Sequence, residues 1–377
     1  MNHKFLILIL LFLVAGSTSA QNINGEPDRL SLLFIGDIMG HDEQIRSAEN
    51  SDTKSYNYDD VFSYVREEIS EADYAIANFE VTLAGAPYKG YPAFSSPVEL
   101  AVACAKAGID CFVTANNHSA DRGKKGILKT LHRLDSLGIP HTGTFADKSE
   151  RDSVYPLMLN IKGNSVALLN YTYGTNGINV PDPVKVNMLS RDLVAEDLDK
   201  AVQKQADLII LFLHWGTEYD TIPSKEQEEM ARFFFSRGAD LIIGSHPHVL
   251  QKMIWVKKNS GNKDQVTVYS LGNYVSNQRR LKTDGGAMVR IEFEKNNETL
   301  IVSNAGYYLT WVYTPVENFR KRFLILPCSK FENNRYFFSN PADYQKMMTF
   351  LSGSRRFLET QNINFREFIF SGSDWNR

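Results

Sequence analysis

Short apolar runs alternate with helix-spaced patterns along most of the chain. "LSLLFIGD" is followed by the amphipathic "YDDVFSYVREEISEA", then "YAIANFE", the helical "PVELAVACAKAG", "DCFVTANNH", and the helical "KGILKTLHRLDSLG". This strand–helix–strand order predicts parallel pairing through right-handed crossovers and a sheet buried on at least one face. The turn "KGN" between "YPLMLNI" and "SVALLNYTY" predicts a hairpin. Helix returns at "LVAEDLDKAVQKQ" and "SKEQEEMARFFFSRG", with strands at "DLIILFLHWG" and "DLIIGSHPH". The strand-rich "QVTVYSLGNYV", "GGAMVRIEFEK" and "TLIVSNAGYYLTWVYTP" follow without a helix signal. An α/β first part closed by antiparallel strands predicts two sheets packed face to face with helices outside. We expect a main domain over residues 30–315 and a helical, aromatic extension over 329–377 that ends in the polar "GSDWNR".

The first residues change the setting. "MNHKFLILILLFLVAGSTSAQ" has a basic start, an apolar centre and small residues up to Ala20. That is the layout of a secretory signal peptide over residues 1–20, cut near Ala20, and it predicts an exported protein of the periplasm or cell envelope. No later run reaches the roughly 18 apolar residues of a transmembrane helix. A net charge of −3 without a basic tail excludes nucleic acid as the main partner. The three cysteines, Cys104, Cys111 and Cys328, are too few for a disulfide framework. Cys104 and Cys111 read as buried small hydrophobes, with a bridge between them as the alternative.

Chemistry collects where the apolar runs end. Asp37, Asn78 with Glu80, Asn117 with His118, His214, His246 with His248, and Asn273 each follow such a run. Ligands of open α/β sheets bind outside the carboxyl ends of the strands, so these residues are expected on one rim. Period-two spacing puts Asn78 and Glu80 on the same side of an extended segment. Pro247 interrupts the strand between His246 and His248 and would let both rings turn towards the rim. Glu218 could orient an imidazole, serve as acid or base, or cap the next helix. His118 offers a general acid, with Asp121 and Arg122 beside it. Carboxylate, amide and imidazole donors together suit borderline divalent metals. Neither a G-x-S-x-G elbow nor a P-loop nor a strand-linked G-x-G-x-x-G occurs, so serine-hydrolase and nucleotide-fold chemistry lack their motifs.

The motifs "GDIM", "NFE", "NNHSADRG", "HWGTEY", "GSHPHVLQ" and "SLGNYV", in this order, resemble the CapA family of poly-γ-glutamate capsule synthesis proteins, within the calcineurin-like metallophosphoesterase superfamily. The resemblance implies a four-layer α-β-β-α sandwich of two mixed sheets flanked by helices. It implies a divalent cofactor, manganese, zinc or iron, as one or two ions. Asp37 and His248 would serve one ion and Asn117, His214 and His246 the other, with Glu80 bridging. His118 would protonate a leaving group, supported by Asp121 and Glu218, while Asn78, Arg122, Trp215 and Asn273 would contact substrate. An envelope polymer or membrane proteins of capsule assembly are the implied partners. Three departures from the superfamily pattern stand out: Met39 replaces the histidine of D-x-H, "NFEVT" replaces G-D-x-x-D, and Asn116 and Ser119 flank "NH" in place of glycine and an acid. A mononuclear or altered site is therefore expected.

Overall fold

The computed structural model describes residues 29–258, 263–296 and 299–377. The expected signal peptide lies outside the described residues. Two large sheets carry the fold. In the nine-stranded sheet, Arg29–Ile38, Tyr74–Phe79, Cys111–Val113 and His141–Thr142 run parallel. On the other side of Arg29–Ile38 the antiparallel strands Gly285–Asn296, Thr299–Tyr313 and Leu324–Pro327 complete the main path. The six-stranded sheet has the parallel strands Asn164–Thr172, Leu208–His214, Leu241–Ser245 and Gln265–Val268. The antiparallel edges Leu157–Ile161 and Met253–Val256 flank them, and the first of these forms the expected hairpin with Asn164–Thr172.

Alternation along the strands builds the layers. Leu30, Leu32 and Phe34 meet Ile210, Phe212 and Ile243 in the core between the sheets. Leu33 and Ile35 point the other way, onto a cluster with Phe62, Ile69, Leu100 and Leu134 from the helical segments of that face. Ile209, Leu211 and Leu213 likewise pack with Val194 and Leu198 of helix Arg191–Gln203 and Phe234 of helix Lys225–Ser236. Both faces of each sheet are covered, which is why the strands read as unbroken apolar runs and not as alternating ones. Each large aliphatic or aromatic side chain buried this way contributes about 1.5–3 kcal/mol. The result is the four-layer α-β-β-α sandwich. Cys104, Cys111 and Cys328 are buried and free.

Two segments differ from the sequence reading. "YDDVFSYVREEISEA" splits into a 3₁₀ turn, Asp59–Phe62, and a short helix, Arg66–Ser70, while still burying Phe62, Val65 and Ile69 on one side. "QVTVYSLGNYV" changes sheets: Gln265–Val268 belongs to the six-stranded sheet and Asn273–Val275 pairs with Arg29–Ile38 of the other. Gly272 makes the crossing with φ +69°, and a Cβ on Gly36 would stand 2.2 Å from its carbonyl oxygen. Two glycines thus let the crossover lie against the first strand, with Asn273 beside Asp37.

Residues 329–377 pack on the sandwich. Met347, Phe350, Leu351 and Leu358 of helix Pro341–Gln361 join the core between the sheets. Arg366–Glu367 then adds to the nine-stranded sheet, and Arg355 bonds both Glu332 and Glu367. No helix among the described residues is long and apolar enough to cross a membrane.

Candidate metal centre

Parallel register brings the strand ends to one rim. Asp37 lies beside both Asn78 and Asn273 in the nine-stranded sheet, and His214 beside Thr172 and Ser245 in the six-stranded one. Glu80 follows the Tyr74–Phe79 strand, its N–H held by the carbonyl of Ile38 at 3.0 Å. Asn78 Nδ2 donates to Asp37 Oδ1 at 2.7 Å and to Glu80 Oε2 at 3.2 Å, and lies 3.4 Å from His214 Nδ1. Asn78 therefore fixes the two carboxylates relative to each other from a fully buried position.

Across the gap, the strand before the two histidines stops at Ser245. His246 and His248 have φ values of +101° and +59°. Left-handed backbone is uncommon for residues with a Cβ and costs about 1–3 kcal/mol per residue. Both rings reach the rim through this conformation, on either side of Pro247. The turn is held by Tyr219 N–H on the Pro247 carbonyl at 2.8 Å and by Ser270 Oγ on the Val249 carbonyl at 2.7 Å.

The hydrogen bonds assign protons. His248 Nδ1 faces two acceptors, Asp37 Oδ2 at 3.1 Å and Asn273 Oδ1 at 3.0 Å, so it carries the hydrogen and Nε2 keeps its lone pair. That Nε2 is 4.0 Å from Glu80 Oε1. His214 Nε2 lies 3.0 Å from Asn117 Oδ1 and 3.8 Å from Glu80 Oε1. Asn117 Oδ1 only accepts, so His214 Nε2 carries the hydrogen in this contact and Nδ1 accepts from Ser245 Oγ at 2.9 Å; a metal at Nε2 would take that proton's place.

Buried atoms without a hydrogen-bond partner include Glu80 Oε1, His246 Nδ1 and Asn78 Oδ1 at this rim, and Asp121 Oδ1 beside His118. Ligand atoms of Asp37, Glu80 and His214 lie within 4.8 Å of one another. Two ligands each about 2.1 Å from one ion stand at most about 4.2 Å apart. The His214 and His248 distances to Glu80 already meet that limit, and the wider set needs only a small side-chain movement. The residues therefore fit a divalent cation, and the mixed nitrogen and oxygen donors suit a borderline metal. Burial, then the neighbouring Asp37 charge, holds the Glu80 carboxyl well above its usual range. Burial also pushes His214 well down and His246 down to about 3.

The remaining sequence-predicted residues fall into distinct places. His118 Nδ1 lies 2.8 Å from Asp121 Oδ2, which also accepts from Phe94 N–H, and the Phe94 ring packs edge-on 4.6 Å from His118. Asn116 bonds the Phe79 carbonyl and the His118 N–H, so this loop is tied by an amide where the superfamily pattern has glycine. Asn117 Nδ2 donates to Asn176. Asn273 and Asn78 act on the cluster's own side chains, which makes them positioning groups. Arg122 is half-buried before helix Gly123–Ser136, with its Nε unpartnered. Glu218 is exposed on the loop beyond His214. Trp215 is a correction: the residue is 1% exposed, and its ring stacks on Tyr269 and bonds that residue's carbonyl within the outer apolar layer, so it packs the fold. Met39 likewise points into the outer core.

Three neighbours escaped the sequence reading. Ser245 and Tyr173 both follow the strand-end rule, and Tyr173 stands 4.4 Å from the His246 ring. His41 packs edge-on against Phe94 at 5.2 Å, and burial lowers it to about 4.

Two sheets with a carboxylate–imidazole cluster at one rim, and helices on both outer faces, make this a four-layer α-β-β-α protein. Residues 31–278 match the family described as bacterial capsule synthesis protein PGA_cap, and the chain belongs to that family. Capsule biosynthesis protein CapA of Bacillus anthracis is 29% identical over 289 residues, 73% of this chain and 67% of its own length. PGA biosynthesis protein CapA of Bacillus subtilis strain 168 is 29% identical over 310 residues, 77% of this chain and 75% of its own. Among solved structures, the calcineurin-like phosphoesterase YfkN of Bacillus subtilis is similar with a TM-score of 0.44 and 14% identity, over 74% of this chain and 90% of its own.

Proposed function

We propose that this chain is an exported, metal-dependent hydrolase or transferase that acts on a capsule or envelope polymer, at an amide or phosphoester bond. The observation that carries the reading is the pair of buried, unpartnered ligand atoms, Glu80 Oε1 and His246 Nδ1, at a rim where His248 Nε2 also keeps a lone pair. Burying such atoms without partners is costly, and a cation is the partner that their chemistry suits. Asp37, Glu80, His214, His246 and His248 would hold it, with Asn117 as a further oxygen donor. Bound there, a manganese, zinc or iron ion supplies Lewis acidity.

The chain's own part follows from its hydrogen bonds. Asp121 holds Nδ1–H of His118, leaving Nε2 to give a proton to a leaving group or take one from an attacking group. Phe94 shields that ring from water on one side. Export rests on the apolar N-terminal segment. The test is metal analysis of the purified mature chain followed by turnover of γ-glutamyl oligomers and phosphodiesters. Bound metal with turnover of either class is expected; a metal-free, inert protein contradicts the reading.

Met39, packed in the outer core, favours a second reading. With no imidazole from the first motif, the centre would serve recognition, and the protein would bind polymer or a membrane partner in capsule assembly without catalysis. His118→Ala separates the two: capsule production in cells is lost for an enzyme and kept for a binding component, at equal protein level.

A further inference from the structure

The inward row of strand Asn164–Thr172 is Val166, Leu168 and then Asn170. Val166 and Leu168 belong to the apolar core between the sheets, and Asn170 puts a fully buried amide in that row just below the metal centre. An amide costs stability in such a place unless its hydrogen bonds are made. Both its polar atoms are bonded, to Phe212 of the neighbouring strand and to Ala115 just past the end of strand Cys111–Val113 of the other sheet. Oδ1 accepts from Ala115 N–H at 2.7 Å, and Nδ2 donates to the carbonyls of Phe212 at 3.0 Å and Ala115 at 3.4 Å.

Ala115 is two residues before Asn117, and Phe212 two residues before His214. One side chain therefore grips both backbones that carry the facing pair Asn117 Oδ1 and His214 Nε2, which meet at 3.0 Å. The amide is itself fixed, because Asn170 N–H donates to the Tyr155 hydroxyl at 2.9 Å and its carbonyl accepts from Asn187 Nδ2 at 3.1 Å. Room is kept for it at Gly143, where a Cβ would stand 2.0 Å from Asn170 Oδ1. We infer that Asn170 is a positioning residue that sets the gap between the two sheets at the cluster, and so the spacing of the ligands on either side. The inference rests on the reading of the rim as a metal centre.

The test compares Asn170→Ser, and the isosteric Asn170→Asp, with Phe234→Leu, a core change in the outer layer on the far side of the sheet. Each folded variant is titrated with cobalt(II) at a temperature where circular dichroism shows it native. Loss of a group that orients ligands costs about 10–100-fold in metal affinity, so both Asn170 variants should weaken cobalt binding by that order and shift its visible spectrum, while Phe234→Leu stays within about 2-fold. Equal affinities for wild type and Asn170→Ser, or an equal loss in Phe234→Leu, overturn the inference. The imidazole NMR signals of His214 report the same gap without metal. A wild type that binds no cobalt, but whose His214 signals move in the Asn170 variants alone, contradicts the metal reading and supports the positioning role; unmoved signals overturn that role.

Discussion

His248 depends on its neighbours for the nitrogen that it offers. Asn273 Oδ1 and Asp37 Oδ2 hold its Nδ1–H, and Asn273 is in turn anchored by the Thr283 carbonyl at 2.8 Å. Asn273→Ala should therefore weaken metal binding by about 10–100-fold without unfolding the chain, as measured by calorimetric titration; unchanged affinity would remove Asn273 from the site. Protonation gives a second expectation. Burial lowers His246 to about 3 and His41 to about 4, from an ordinary 6.5, and lowers His214 as well. Below that ordinary value the unfolded chain takes up protons that the folded protein refuses. The stability these groups contribute is complete above 6.5 and is lost as pH falls through about 4 towards 3. Glu80 works in the opposite direction, since its raised carboxyl keeps a proton in the folded state and loses that advantage as pH rises above 4.5. Three imidazoles outweigh one carboxyl, so the melting temperature of the metal-free protein should fall steadily from about pH 7 to about pH 4. A flat profile over that range would contradict the burial of these rings.

At the scale of elements, helix Lys225–Ser236 shows how local sequence specifies structure. Ser224 accepts from Gln227 N–H while the Gln227 side chain accepts from Ser224 N–H, a reciprocal cap. Ser224→Ala should cost about 1 kcal/mol in denaturant unfolding and leave metal affinity unchanged. Much of the architecture was legible in this way. Apolar runs gave the strands, and parallel order placed Asp37, Asn78, Glu80 and His214 at strand ends, where the structure brings them together, while Asn273 reaches the same rim from the start of its strand. What stayed hidden has physical causes. The left-handed turns at His246 and His248 run against the preference of residues with a Cβ, so only the surrounding fold imposes them. The passage of the chain between sheets at Gly272 leaves no mark in hydrophobic pattern, because both flanking strands are equally apolar. Trp215 was misplaced because the residue after a strand end can face the outer layer as readily as the rim. Ser245 was legible in principle, since it is the last residue of its strand and the register partner of His214.

At the scale of the whole molecule, the sandwich is closed by its own C-terminal part. Phe350 is 3% exposed and sits in the same core as Leu30 and Phe212. Phe350→Ala should cost about 3–5 kcal/mol, and removal of residues 329–377 should leave a chain without a cooperative unfolding transition. A truncated protein that melts cooperatively would show that this segment is an appendage. The two sheets share one core and face one another at one rim, so stability and site geometry draw on the same packing. The central claim is that this rim holds a divalent metal, and anomalous X-ray scattering from crystals of the metal-loaded protein tests it most directly. The account predicts an ion about 2.0–2.2 Å from ligand atoms of Glu80, His214 and His248. No anomalous peak at the rim, with metal bound only to surface side chains, would contradict it.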